Sequence, residues 1–165
     1  MTGDGLLRCG SLALRRAEPA DLDSLLALQR AAYAGNRALL GVEPIPLLAD
    51  YTAILRDMEV WVTAGERGRL IGALILEPRA DDLLIWSVAA DPTAQGAGVG
   101  RALLAAAEER ARQLGRIVVR LYTGTPLGHL VAWYGRRGYT VERIETLSDR
   151  SITHMIKHLG PPLEQ

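Results

Sequence analysis

Lysine is almost missing from this chain. Lys157 is the only one, so the other basic residues among its 19 lysines and arginines are arginine. With 19 acidic residues the formal net charge is zero and the pI about 6.8. The arginine excess therefore reads as codon bias, and no broad basic face for nucleic acid is expected. Cysteine is scarce too. Cys9 stands alone, which excludes an internal disulfide and points to a reducing compartment, the cytoplasm. His129, His154 and His158 are scattered and no cysteine pair accompanies them, so no metal site is expected. No apolar run approaches the roughly 20 residues that span a bilayer, and no membrane partner is expected. Asp4 and Arg8 flank the short apolar patch near the start, which therefore does not read as a signal peptide.

What is present is a chain of 165 residues, 48% hydrophobic, enough for one domain with its own core. Residues 1–10 are glycine-rich and expected to be flexible. Residues 11–158 read as the domain, and 159–165 as a tail entered by Gly160-Pro161-Pro162. Pro19 and Asp21 suit the first turn of a helix. Its apolar positions Leu22, Leu25, Leu26 and Ala32 recur at helical spacing until Gly35. Residues 36–46 read as a loop or short helix, and 50–56 as a second short helix.

Strands are expected at 60–64, 70–76 and 82–89. Glu66-Arg67-Gly68-Arg69 makes the first hairpin turn, and Gly72 reads as a close backbone approach. A helix then carries the stripe Leu103, Leu104, Ala107, Ala111 and Leu114, closed by Gly115. Residues 117–121 read as a buried strand and 127–134 as the last helix. Residues 140–146 and 152–158 read as final strands. Hairpins followed by a βαβ crossover make an α/β fold, a mixed and mostly antiparallel sheet of about six or seven strands flanked by helices.

The densest information lies in residues 86–114. An apolar strand ends at Asp91-Pro92, then comes Gln95-Gly96-Ala97-Gly98-Val99-Gly100-Arg101, then the helix. The first amides of a helix have no internal partner, and the helix dipole adds partial positive charge there. Glycine removes the Cβ atoms that would hold an anion away. The arrangement suits a phosphate or pyrophosphate. A P-loop would need a lysine after its glycines, and none follows. A dinucleotide fingerprint needs Gly-x-Gly-x-x-Gly in an early βαβ unit, with an acid about 20 residues on. Here the spacing is Gly96-x-Gly98-x-Gly100, past mid-chain, and residues 112–120 hold no acid.

The spacing Gln95-x-x-Gly98-x-Gly100, preceded by Val88 and Asp91-Pro92, resembles the acyl-CoA motif of the GNAT N-acetyltransferase superfamily. Trp133-Tyr134-Gly135-Arg136-Arg137-Gly138-Tyr139 resembles that family's Tyr-x-x-x-Gly-Phe/Tyr signature, and residues 12–22 its opening strand and first helix. The resemblance covers residues 11–158. It implies transfer of an acetyl group from acetyl-CoA to a primary amine by direct attack, with no metal.

On the cofactor side, the resemblance assigns the pyrophosphate to the amides of Gly96, Gly98, Gly100 and Arg101. Gln95 would shape the loop, and Ala97 and Val99 would contribute only backbone. The family's strand before the loop splays from its neighbour and pairs with pantetheine, a role that falls on Val88, Ala89 and Ala90. Tyr134 is the implied general acid, since a phenol with pKa near 10 is protonated at neutral pH. A core-aromatic reading stands beside it, because Tyr134 shares a stripe with Leu127 and Leu130. Tyr139 reads as packing. Relatives carry Asn and Ala where this chain has Leu127 and Leu130, which points away from the branch that acetylates protein N-termini.

No base is singled out. Leu84 and Trp86 occupy the positions where relatives place one, and neither takes a proton. Glu77 and Asp82, acting through water, and His129 are the remaining candidates. Substrate identity would lie in residues 33–50, 77–82 and 121–128, with Tyr33 and Trp86 as candidate contacts. The mix of apolar and polar residues there fits a small-molecule or amino-acid-like amine. A peptide N-terminus as acceptor and a non-catalytic acyl-CoA-binding module stay open. So does a homodimer, for which Leu159 and Leu163 are the apolar candidates.

Overall fold

The computed structural model describes residues 5–94 and 98–161. In chain order it holds β1 (Leu6–Cys9), β2 (Leu12–Arg16), α1 (Leu22–Tyr33), α2 (Asn36–Leu40), α3 (Tyr51–Asp57), β3 (Glu59–Ala64), β4 (Leu70–Pro78), β5 (Leu83–Ala90), α4 (Val99–Gln113), β6 (Val118–Gly124), α5 (Gly128–Gly135), β7 (Thr140–Thr146) and β8 (Ser151–His158). The strands form one eight-stranded sheet in the order β1-β2-β3-β4-β5-β6-β8-β7. Its β5–β6 pair is parallel, and the other pairs are antiparallel. Among the described residues no helix is long and apolar enough to cross a membrane.

The eighth strand is β1, inside the segment expected to be flexible. It pairs with β2 from Leu6↔Arg15 to Cys9↔Leu12, and Leu7 is 1% exposed. Burial of that one leucine is worth about 1.5–3 kcal/mol, which helps hold so short a strand in place.

Each face of the sheet carries its own core. On one face α4 lays Leu103, Leu104, Ala107 and Ala111 against Leu74, Leu76, Leu83, Ile85, Val119 and Leu121. Val131, Trp133 and Tyr134 of α5 pack against this cluster, and so does Leu159. Leu159 is thus partly buried against its own domain; Leu163 lies outside the described residues. The tight seat of α4 depends on Gly72. A Cβ there would stand 3.0 Å from Val99 Cγ1 and 3.1 Å from Thr63 Cγ2, the close approach expected of that glycine.

On the other face, Leu25 and Leu28 of α1 and Tyr51 and Ile54 of α3 cover Val60, Val62, Ala73 and Ile75. Asp50 caps α3, accepting from the amides of Thr52 and Ala53. At the start of α1, Asp21 accepts the Glu18 amide at 2.7 Å and holds Arg15 in a two-bond ion pair.

Two irregularities in β5 position everything that follows. Opposite β4, Leu76 pairs with Ile85 but Ile75 pairs with Ser87, so Trp86 is an extra residue, a bulge. The bulge puts Trp86 and Ser87 on the same face. Trp86 packs against the α1–α3 core and Ser87 bonds to Gln29 and Tyr33 of α1, whereas Ile85 and Val88 belong to the α4 side. Opposite β6, pairing runs Leu83↔Val119, Leu84↔Arg120 and Ile85↔Leu121 and then stops. Beyond Ile85 the two strands diverge.

Candidate active site

A cavity of about 280 Å³ opens where β5 and β6 part. Trp86, Ser87, Val88 and Ala90 form one wall, and Leu121, Tyr122, Thr123 and Gly124 form the other. Tyr33 and Asn36 come from α1 and α2, and Tyr134, Leu130 and His129 from α5. Leu40, Pro44, Ile45 and Pro46 close one side, with Leu40 packed directly against Gly124 where no Cβ would fit. Arg37 and Glu43, joined at 2.7 Å, brace this cover from outside. Arg150 and Ser151 at the start of β8 complete the lining.

Beneath the floor runs a side-chain network. Gln29, 1% exposed, donates to the Tyr51 hydroxyl at 2.6 Å and to Ser87 Oγ at 3.2 Å. Tyr51 donates onward to the Pro46 carbonyl, which ties the cover to the floor. The Tyr33 hydroxyl lies 2.8 Å from Ser87 Oγ and donates to the Val88 carbonyl at 3.2 Å. Tyr33 thus props the open half of β5.

Three tyrosines face this space, and burial first of all raises the pKa of each. Tyr122 is pushed up to about 12, and Tyr134 is shifted strongly in the same direction. Loss of hydration disfavours the phenolate, so these hydroxyls keep their protons throughout the neutral range. The Tyr134 hydroxyl has no hydrogen-bond partner among the described residues, and its ring is held edge-on by Trp133 at 5.1 Å and Tyr139 at 5.9 Å. Tyr139 is more than packing: its hydroxyl donates to Glu108 Oε2 at 3.0 Å, and the lone lysine, Lys157, holds the other oxygen.

Beyond Ala90 the chain turns. Asp91, 2% exposed, accepts from the Thr93 hydroxyl and amide and from Arg69, and its carboxyl is held below the usual range by those bonds, Thr93's first. Helix α4 starts at Gly98, whose φ of +77° favours glycine. No side chain caps this helix start, so its first amides stay available to an anion. Arg101 curls back toward it, its Nη2 standing 3.8 Å from where a Gly98 Cβ would be. Gln95, Gly96 and Ala97 lie outside the described residues.

The structure therefore brings Tyr33, Trp86, Val88, Ala90 and Tyr134 to one cavity, with Ala89 buried beneath the same strand. Val99, Gly100 and Arg101 stand in the first turn of α4. The two carboxylates expected to relay a proton are not in the cavity wall. Asp82 is 4% exposed and locked by Arg79 at 2.6 Å and Arg120 at 2.7 Å, which hold its carboxyl below the usual range, Arg79 most of all. This corrects the relay role expected of it, because a carboxylate held by two guanidiniums is a poor proton acceptor. Glu77 is exposed, opposite Leu84 in the β4–β5 ladder. No aspartate or glutamate is among the described lining residues. His129 is the one imidazole among the described lining residues. Asn36 and Tyr122 fall in the segments expected to set substrate identity, whereas sequence reasoning missed Arg150 as a wall residue.

Comparison with known proteins agrees with this geometry. The acetyltransferase (GNAT) family model matches residues 22–139. No curated protein sequence matches. Among solved structures, the ribosomal-protein-S18-alanine N-acetyltransferase of Escherichia coli superposes with a TM-score of 0.72 at 18% identity, over 93% of this chain and 97% of that one. The PaiA N-acetyltransferase of Thermoplasma acidophilum, solved with coenzyme A, gives 0.69 at 20% identity, over 90% and 99%. The IAA acetyltransferase of Bacillus cereus gives 0.62 at 20%, over 90% and 100%. At these identities the likeness carries the fold.

Proposed function

The chain belongs to the GNAT acetyltransferase family and is an acetyl-CoA-dependent N-acetyltransferase; within that activity we propose that it acetylates a small primary amine held in the β5–β6 cavity. The observation that carries this reading is the open half of β5. Its backbone from Trp86 to Ala90 has no β6 partner and faces a cavity to which α5 contributes a neutral tyrosine, Tyr134, whose hydroxyl has no partner among the described residues.

Acetyl-CoA fits the residues present. The uncapped start of α4 offers amides from Gly98 to Arg101 for its diphosphate, and the unpaired edge of Val88, Ala89 and Ala90 offers hydrogen bonds to its extended arm. Gln95, Gly96 and Ala97 would complete the loop. When bound, it supplies the acetyl group as a thioester. Formation of the C–N bond and cleavage of the C–S bond require one proton to leave the amine and one to reach the sulfur.

This chain's residues provide for both. Tyr134 holds a proton at its hydroxyl oxygen and acts as the general acid. Trp86 and Tyr33 shape the acceptor side, with Tyr33 fixing the Val88 carbonyl. Glu77 and Asp82 are not among the described lining residues, although the charge of Glu77 reaches Tyr122 in the wall. The acceptor's proton leaves by water at the rim, where His129 stands exposed. The cover of Leu40, Pro44 and Pro46 limits the acceptor to a modest size.

Titration with acetyl-CoA, CoA, NAD and ATP, followed by thiol release with an amine panel, tests the reading. Acetyl-CoA and CoA should bind and NAD and ATP should not; the reverse would sink it. Tyr134→Phe should lower kcat by about 10²–10⁴-fold while leaving acetyl-CoA affinity within a few-fold. An unchanged kcat would remove Tyr134 from its role.

A further inference from the structure

The acceptor cavity carries a charge of one sign only. Its described lining has no aspartate or glutamate, but it includes the Arg150 guanidinium, whose side chain is 12% exposed. From this we propose that Arg150 is a carboxylate anchor, and that the acceptor is an amine bearing its own carboxylate, an amino acid with an apolar side chain. The inference rests on the cavity being the acceptor site.

Arg150 is held firmly and incompletely. Its Nη1 donates to the Glu43 carbonyl at 3.0 Å, which fixes it under the cover segment. Asp149 takes its Nε at 3.3 Å and its Nη2 at 3.1 Å. Those bonds engage three N–H groups, so two of the guanidinium's five remain without a partner among the described residues. Asp149 pairs with this guanidinium from outside the lining, where it is 55% exposed, and leaves the two remaining donors open to a ligand. A pre-positioned, largely buried guanidinium with one spare donor on Nη1 and one on Nη2 suits a carboxylate.

The remaining lining agrees with such a ligand. Leu40, Ile45, Leu127 and Leu130 offer an apolar surface for a side chain. The absence of lining carboxylates disfavours diamines and polyamines, whose second cation would meet Arg150 with no counter-charge. Arg150 is a specificity residue; it touches no reacting atom in this scheme.

The test uses matched pairs: leucine, methionine and phenylalanine, each against its carboxamide, with the wild-type protein and Arg150→Gln. Binding is measured by calorimetry in the presence of CoA, and transfer by thiol release with acetyl-CoA. The acid of at least one pair should bind, and react with a lower KM, by roughly tenfold to hundredfold over its amide. Arg150→Gln should bring that ratio near one, and Arg150→Lys should restore part of it. A purely structural role would weaken acid and amide alike and leave the ratio unmoved. Equal or better binding of the amides, an unchanged ratio in Arg150→Gln, or no binding by any member of the panel overturns the proposal. Acid-selective binding without thiol release upholds it and counts instead against the assignment of acetyl transfer to this cavity.

Discussion

The two halves of β5 are one strand with two duties. From Leu83 to Ile85 it is paired on both sides, to β4 and β6, and its start is sealed by Asp82 under two arginines. From Trp86 to Ala90 it is paired to β4 alone, and its other edge faces the cavity. In the closed half the backbone groups are used up in the sheet and ionisable groups serve stability. In the open half the edge away from β4 has no strand partner, although Tyr33 holds the Val88 carbonyl, and the side chains around it come from α1, α5 and the turn into β8. A bulge of one residue, Trp86, separates the two.

The comparison is broken most severely at the closed end. Asp82→Ala leaves Arg79 and Arg120 facing each other without their carboxylate and should cost about 1–3 kcal/mol, since both arginines are partly solvent-exposed. Thermal unfolding should fall by several degrees while kcat per folded molecule holds. Loss of kcat with an unmoved melting temperature would instead place Asp82 in the chemistry. At the open end the expected effect is smaller and of the opposite kind. Gly98→Ala forces a Cβ into a φ of +77°, a strain of about 1–2 kcal/mol. It should weaken acetyl-CoA binding by about tenfold, read by titration, with little change in the fold.

The smallest effect concerns pH. Tyr122 is raised to about 12 by burial, and Tyr134 and Tyr139 are raised further, also by burial first. A raised folded value means their contribution is complete below the unfolded value near 10 and is lost as pH rises through the folded ones. Asp82, lowered by Arg79 and Arg120, contributes above about pH 4 and loses that contribution on further acidification. Unfolding temperature should therefore be flat between these windows with respect to these groups. In a Tyr122→Phe variant the decline above pH 10 should be shallower; an identical decline would show that Tyr122 is not among the groups responsible.

Much of the fold was legible from local pattern. The stripe on α4, the short helix after Asp50 and the strand–turn–helix order around Gly98 all stand where their residues put them. Strand β1 was not legible, because four residues between glycines carry no periodicity and it is pairing with β2 and the burial of Leu7 that hold them. The bulge at Trp86 was hidden for another reason: it is a property of the register between β4 and β5. Nothing local to Asp82 could show that Arg120, 38 residues away, would claim its carboxylate. Arg150 next to Asp149 reads as a solvated turn, and nothing local marks it as a cavity wall.

What the chain determined by itself is the cofactor side. Glycine at a positive φ, an uncapped helix start and an unbranched loop are set by sterics and hydrogen bonding within a few residues, so neighbours in sequence suffice. The acceptor side was decided by tertiary structure alone. Its wall is assembled from residues as distant as Tyr33, Ser87, Tyr134 and Arg150, and their meeting depends on how far β5 and β6 remain paired before they part.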